Sequence, residues 1–190
     1  MQPVQIVPSS PRWQHEFVAI AQRLRAGLGD LALRIDHIGS TSVPGLAAKN
    51  VIDVQVAVAA LDLDRLVPAF AHAGFQHHPE NPGDHRPPGS EAPDDDWVKL
   101  FFSPTTGRAA NIHVRVINRP NRRYALLFRD YLRAHPRAIA AYAELKRRLA
   151  GLGIPRSVYA EVKDPACDII MVGADAWANT VSWNPGPSDA

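Results

Sequence analysis

The spacing of apolar residues changes several times along the chain. Over residues 10–29, Phe17, Ile20, Ala21 and Leu24 recur every three or four positions. Ser10 is a candidate N-cap, Pro11 stands at the first helical position, and Gly27 and Gly29 close the run, so a helix is expected. Residues 31–38 read as a strand that runs into Gly39. Residues 51–58 read as a second strand, with Ile52, Val54, Val56 and Val58 on one face and Asp53, Gln55 and Ala57 on the other. Helical spacing returns over 62–74, where Leu63, Leu66, Val67 and Phe70 form one stripe. Residues 97–102 and 110–117 supply two further strands. The second of these sets Ile112, Val114 and Val116 against Asn111, His113 and Arg115. The last third is helical over 122–134, 136–149 and 155–177, with an interruption expected at Pro165, which has no N–H for the helix ladder.

Residues 76–96 break the pattern. They are rich in Pro, Gly and Asp and read as a long surface loop with room to move. The sequence NPGPSDA at the end reads as part of a disordered tail over 181–190. No internal repeat and no linker divides the remainder, so residues 1–180 are expected to form one α/β (α+β) domain, a mixed sheet flanked by helices with the C-terminal helices packed on it.

Composition narrows the function classes. Hydrophobic residues make up 46% and charged residues 21% of the 190, ordinary values for a chain with a real core. A formal net charge of +2 gives no strong field for nucleic acid. Cys167 is the single cysteine, so no internal disulfide is possible; it reads as a small buried apolar residue suited to a reducing compartment. The opening MQPVQIVPSSP has no basic start followed by an apolar run, and no stretch reaches the ~20 apolar residues of a membrane span. A cytoplasmic location with no membrane partner is expected.

Chemistry concentrates in one segment. A strand ends at Gly39, where the backbone can turn sharply and a ligand can come close. Ser40, Thr41 and Ser42 follow, with hydroxyls and N–H groups suited to phosphate oxygens, more so if a short helix starts there and is completed by Leu46–Lys49. The chain returns as the strand carrying Asp53, a carboxylate in an apolar run where an unpaired charge is costly. A phosphate cradle and a carboxylate at one end of a sheet suit Mg²⁺, which takes one or two carboxylates and completes its octahedron with phosphate and water. Lys49, Lys99 and Arg115 are candidate phosphate contacts, each with the alternative of a solvated surface cation. His37, beside the turn, reads as structural, needing only a hydrogen-bond partner. His77, His78, Asp84 and His85 follow no structural-zinc spacing. Asp94, Asp95 and Asp96 read as a solvated patch, and Lys146, Arg147 and Arg148 as a solvent-facing stretch, with Leu145 and Leu149 on the buried side of that helix.

The segment RIDHIGSTSVPGLAAKNVIDVQV resembles the GrpB family, small proteins with the nucleotidyltransferase fold. The likeness continues in W-x-x-E-F at Trp13–Phe17, VKLFF at 98–102, NIHVRV at 111–116, LLFRDYLRAHP at 126–136 and Y-x-x-LK at Tyr142–Lys146, and spans roughly residues 7–180. Similar domains occur fused to dephospho-CoA kinase, whose phosphate-binding GxxxxGK[ST] loop this sequence lacks. The wider superfamily has a Gly-Ser turn, two acidic residues two apart on the next strand, and a third on a later strand, holding two metals that orient a nucleoside triphosphate. Gly39, Ser40 and Asp53 match. Gln55 stands at the second acidic position and His113 at the third. Gln is a weak metal ligand, and His does not suit Mg²⁺.

Three readings therefore stay open. One is a Mg²⁺- or Mn²⁺-dependent enzyme that transfers a nucleotidyl group from an NTP to a small-molecule acceptor. Asp53 and Gln55 would be metal ligands, Asp53 and His113 catalytic, and Gly39, Ser40, Thr41 and Ser42 the triphosphate cradle. Another is a nucleotide- or cofactor-binding module without chemistry, linked to coenzyme A metabolism, and the third is a biosynthetic enzyme that reuses the pocket for a different condensation.

Overall fold

The computed structural model describes residues 4–190. Its helices are α1 (Arg12–Leu28), α2 (Leu63–His72), α3 (Pro120–Ala134), α4 (Pro136–Gly151) and α5 (Arg156–Thr180). The strands are β1 (Arg34–Ile38), β2 (Ile52–Val58), β3 (Phe75–His77), β4 (Leu100–Pro104) and β5 (Ala110–Val116). They form one mixed sheet in the order β1-β2-β5-β4-β3. The β2–β5 pair is parallel, and its neighbours are antiparallel.

The parallel pair lies inside the sheet, covered on both faces, which explains the density of Val and Ile in β2. On one face Ile52, Val54, Val56, Ile112 and Val114 pack with Phe17, Ile20 and Leu24 of α1 and Leu66 and Phe70 of α2. The other face carries Asp53, Gln55, His113 and Arg115, and α3 to α5 close over it. Those helices are held by smaller clusters, one around Leu132, Tyr142 and Cys167 and another around Leu127, Met171 and Ala174.

Several sequence expectations shift. Strand β4 begins at Leu100, because Asp94–Trp97 form a 3-10 turn that turns Trp97 into the interior. A short strand, β3, takes the start of the expected loop. The rest of that loop is tied back: Asp84 N–H donates to the Trp97 carbonyl at 2.8 Å and Lys99 N–H to the Pro82 carbonyl at 2.9 Å. No helix forms over Leu46–Lys49; Ala48 instead pairs with Val7. Helix α5 runs through Pro165, against the interruption expected there. Residues 186–190, expected as disordered, lie along the free edge of β1. Ser188 Oγ accepts from Ile35 N–H at 3.0 Å, and the Asp189 carboxylate accepts from His37 N–H at 2.9 Å and from the buried Arg129 guanidinium at 2.7 Å. Unpaired strand-edge groups find partners there.

Candidate functional site

A cavity of about 310 Å³ opens between the polar sheet face and the helices, and Gly39, Ser40, Thr41, Lys49, Asp53, His113 and Arg115 all line it. Gly39 has φ +67°, a conformation that favours glycine, and a Cβ built on it would overlap the Asp53 carboxylate. Turn and carboxylate are therefore in direct contact. Ser40–Ser42 make one 3-10 turn, with Ser42 N–H donating to the Gly39 carbonyl at 3.2 Å.

The side chains of this turn divide. Ser42 Oγ donates to the Gly39 carbonyl at 2.6 Å, so this hydroxyl holds the turn. Thr41 Oγ1 is 3.0 Å from His37 Nε2, and the His37 ring stacks on Phe17 at 4.7 Å, a structural arrangement. Ser40 Oγ faces the cavity and accepts from Lys146 Nζ at 2.9 Å.

Asp53 pairs across the parallel register with Asn111, whose amide donates to Asp53 Oδ1 at 2.7 Å. His113 Nε2 lies 3.9 Å from the same oxygen. Burial opposes ionisation of Asp53, but His113, the Asn111 amide and the Lys49 charge outweigh it and hold the carboxyl below its ordinary value. Burial drives His113 the other way for a base, down to about 4, so its imidazole is neutral at pH 7; its buried Nδ1 has no hydrogen-bond partner among the described residues.

Asp84, weighed in the sequence only beside the loop histidines as a metal ligand, organises the rest of the sheet face. It receives Arg115 in a two-pronged pair, both distances 2.8 Å, together with Lys99 Nζ at 2.7 Å and the Asn121 amide at 3.1 Å. Burial penalises its charge, but Arg115 and Lys99 more than compensate and hold the carboxyl far below the usual range. Arg115 also donates to Gln55 Oε1 at 2.7 Å. Two of the three cations expected at phosphate, Arg115 and Lys99, are thus engaged by a carboxylate, and the Gln55 oxygen expected at metal is engaged by Arg115. Gln55 and Lys99 do not line the cavity. His78 bonds Ser103 and Glu80, and His85 bonds Asp168, so the loop histidines are dispersed.

As a metal site, the donor set fits one hard cation at most: Asp53, completed by ligand phosphate and water. It does not fit two. Among the described residues, no group of three or more His, Cys, Asp or Glu is gathered to hold a metal.

The opposite wall comes from the helices. Lys146 is 2% exposed, and its Nζ also donates to the Ala47 carbonyl at 2.5 Å. This corrects its reading as a solvent-facing residue: Tyr142, Ala143, Lys146 and Leu149 are the buried stripe of α4, and the lysine occupies a core position within it. Tyr142, Tyr159, Lys163 and Cys167 complete the wall.

A model of the GrpB protein family matches residues 3–172. The chain belongs to the GrpB family. A crystal structure of conserved protein GrpB from Enterococcus faecalis superposes with a TM-score of 0.73 at 29% identity, covering 91% of this chain and 99% of that one. A dephospho-CoA kinase of Mycobacterium tuberculosis is 35% identical over 201 residues, covering 96% of this chain and 49% of the kinase. A UPF0157 protein of Pseudomonas aeruginosa is 36% identical over 151 residues, covering 77% of this chain and 57% of that protein. This GrpB chain thus spans about half the length of the kinases it matches. The mixed sheet with its C-terminal helices is the GrpB fold. Among the described residues, no helix is long and apolar enough to cross a membrane.

Proposed function

We propose that this GrpB domain binds a phosphorylated small molecule of the nucleotide or nucleotide-cofactor class in the cavity beside Asp53. The observation that carries this is the contact between turn and carboxylate: Gly39 lies against Asp53 in a conformation that leaves no room for a Cβ, at the mouth of a cavity lined by Ser40 and Lys49. The match to half of a dephospho-CoA kinase adds coenzyme A precursors to the candidate ligands.

In the transferase form of this reading, an acceptor hydroxyl attacks the α-phosphorus of an NTP. The new P–O bond forms as the bond to pyrophosphate breaks, and the hydroxyl proton passes to neutral His113. Asp53 would hold the divalent cation that balances charge on the phosphates. A second reading, binding without turnover, is favoured by a specific observation: among the described residues Asp53 has no second carboxylate gathered with it to share a metal, because Asn111 stands beside it in the register and Gln55 and His113 hold the next two places.

Calorimetric titration with ATP, GTP, CTP, UTP, dephospho-CoA and coenzyme A, with and without Mn²⁺, tests binding. Pyrophosphate release with each NTP and a panel of small hydroxyl and amine acceptors tests transfer. We expect saturable binding of at least one of these ligands, at least tenfold weaker in Asp53→Asn. If all six fail to bind the parent protein, the proposal is wrong.

A further inference from the structure

The charged groups around the cavity fall into two sets. Arg115 and Lys99 are matched by Asp84, and the buried Arg129 by Asp130 and Asp189. Lys146 differs. Its polar partners among the described residues are the Ser40 hydroxyl and the Ala47 carbonyl, both uncharged, and its ammonium sits 4.7 Å from the centre of the Tyr142 ring. A buried ammonium with neutral partners keeps much of its desolvation cost. Two more ammonium groups border the same cavity. Lys163 Nζ is 3.1 Å from Asp164 Oδ1 and 3.5 Å from Cys167 Sγ, and Lys49 Nζ lies 5.0 Å from the centre of the Tyr159 ring. Burial first, then the charge of Lys163, pushes the proton affinity of Lys146 down to about 7. Lys163, held by Asp164 and Cys167, keeps its proton, and the cost falls on Lys146, which an anion beside it would stabilise.

We infer that Lys146 is the anchor of a phosphate subsite on the helix wall, shared with Ser40, Lys49 and Lys163, and that the ligand of this pocket carries a phosphomonoester or diphosphate at that end. The subsite deepens the reading above and relies on it only for the cavity. It places the phosphates against the helix wall rather than at Arg115 and Lys99, with the Lys146 ammonium and the Ser40 hydroxyl both lining that end of the cavity. Residues from three distant parts of the chain, the turn after β1, α4 and α5, meet there.

Inorganic pyrophosphate, ATP and adenosine serve as probes, each titrated calorimetrically into the full chain at pH 6.5. The parent is expected to bind pyrophosphate, and Lys146→Met to bind it at least tenfold more weakly, with Lys146→Arg recovering part of the loss. Arg147→Met, an exposed neighbour on α4 paired to Glu144, is expected to stay within twofold of the parent. If Lys146→Met does not fold, Lys163→Met carries the test, with a loss of threefold or more expected. A parent that does not bind pyrophosphate, or folded Lys146→Met and Lys163→Met proteins that bind it as the parent does, would overturn the subsite. Adenosine binding as tight as ATP would overturn it too while leaving the nucleotide pocket standing. Pyrophosphate binding that depends on Lys146, with no nucleotide or coenzyme A precursor bound, would sustain the subsite and remove the nucleotide reading.

Discussion

On the sheet wall of the pocket, Arg115 and Lys99 close onto Asp84, whereas on the helix wall Lys146 closes onto a hydroxyl and a carbonyl. Both walls hold buried cations, so burial alone does not distinguish them. What differs is where the compensating charge comes from. The sheet wall carries its own carboxylate, and its electrostatics are complete within the fold. The helix wall gives Lys163 the carboxylate of Asp164 but gives Lys146 only dipoles, and the compensation of Lys146 has to come from outside. A buried cation with a carboxylate is therefore read as part of the scaffold, and one without as a ligand contact.

The largest effect is expected where compensation is internal. Arg115→Met leaves Asp84 with Lys99 and the Asn121 amide and frees the Gln55 oxygen. Breaking one side of a buried pair costs about 3–5 kcal/mol. Urea unfolding at pH 7 checks this, and a loss below 1 kcal/mol would place Arg115 with Lys146 among cations that the fold does not need.

The next effect is a pH dependence. His113 on the sheet wall and His37 beneath the turn are both pushed down to about 4, by burial first, with the nearby Asp53 pulling the other way. The unfolded chain takes up these protons near the ordinary value of 6.5 and the folded chain near 4, so stability is full above pH 6.5 and falls as the pH drops towards 4. Asp84 lies so far below its ordinary 3.8 that its own loss comes only under that range. Each imidazole is worth on the order of 1–3 kcal/mol. Unfolding measured at pH 7, 5.5 and 4.5 should show the decline, and His113→Asn should make it shallower. A flat profile would mean that the histidines are charged in the native state.

Much of the sheet wall was legible in the sequence. Alternation in β2 and β5 put Asp53, Gln55, His113 and Arg115 on one face, and the register confirms it, with Asp53 beside Asn111 and Gln55 beside His113. Gly39, Ser40 and Asp53 are brought together as the turn implied. The pairing of Asp84 with Arg115 and Lys99 was hidden because a Pro-rich loop has no period from which a side chain's direction can be read. Lys146 was hidden for another reason. The run Lys146-Arg147-Arg148 looks like one solvated patch, while the stripe Tyr142, Ala143, Lys146, Leu149 points the first of the three inward. Its ligand-facing role depends on the Ser40 hydroxyl, 106 residues away, a contact only the fold creates. The tail's place on β1 was likewise invisible, since it rests on an open strand edge rather than on its own composition.

Gly39 joins the two walls, and a smaller loss is expected there. Gly39→Ala adds a methyl against Asp53 at φ +67°, a position costing about 1–3 kcal/mol for a residue with a side chain. Thermal unfolding should show this as a few degrees, and pyrophosphate binding should fall with it, since Ser40 follows directly in the chain. Unchanged stability would mean that the turn relaxes freely and that its contact with Asp53 constrains neither wall.

Lys146 carries the smallest expected stability change, and the one whose sign separates the walls. Its ammonium meets Lys163, Lys49, Asp53 and Cys167 through the field of the cavity, and burial lowers its proton affinity from 10.5 to about 7. Below pH 7 the lysine is charged in both folded and unfolded chains, and the full penalty falls on the native state. Between 7 and 10.5 the unfolded chain holds the proton that the folded chain has released, so this group's contribution to stability improves as pH rises. Replacing it by Met removes the penalty but leaves the Ala47 carbonyl without its donor, which returns part of the gain. In the absence of any anion, Lys146→Met should therefore be more stable than the parent by about 1 kcal/mol at pH 6, with the order reversed by about pH 10, where the penalty is gone and the lost Ala47 hydrogen bond remains. Added pyrophosphate should reverse the order at pH 6, because it stabilises only the protein that binds it. A loss of 3 kcal/mol or more without anion would show that Lys146 is a scaffold cation like Arg115, and the distinction between the two walls would fall.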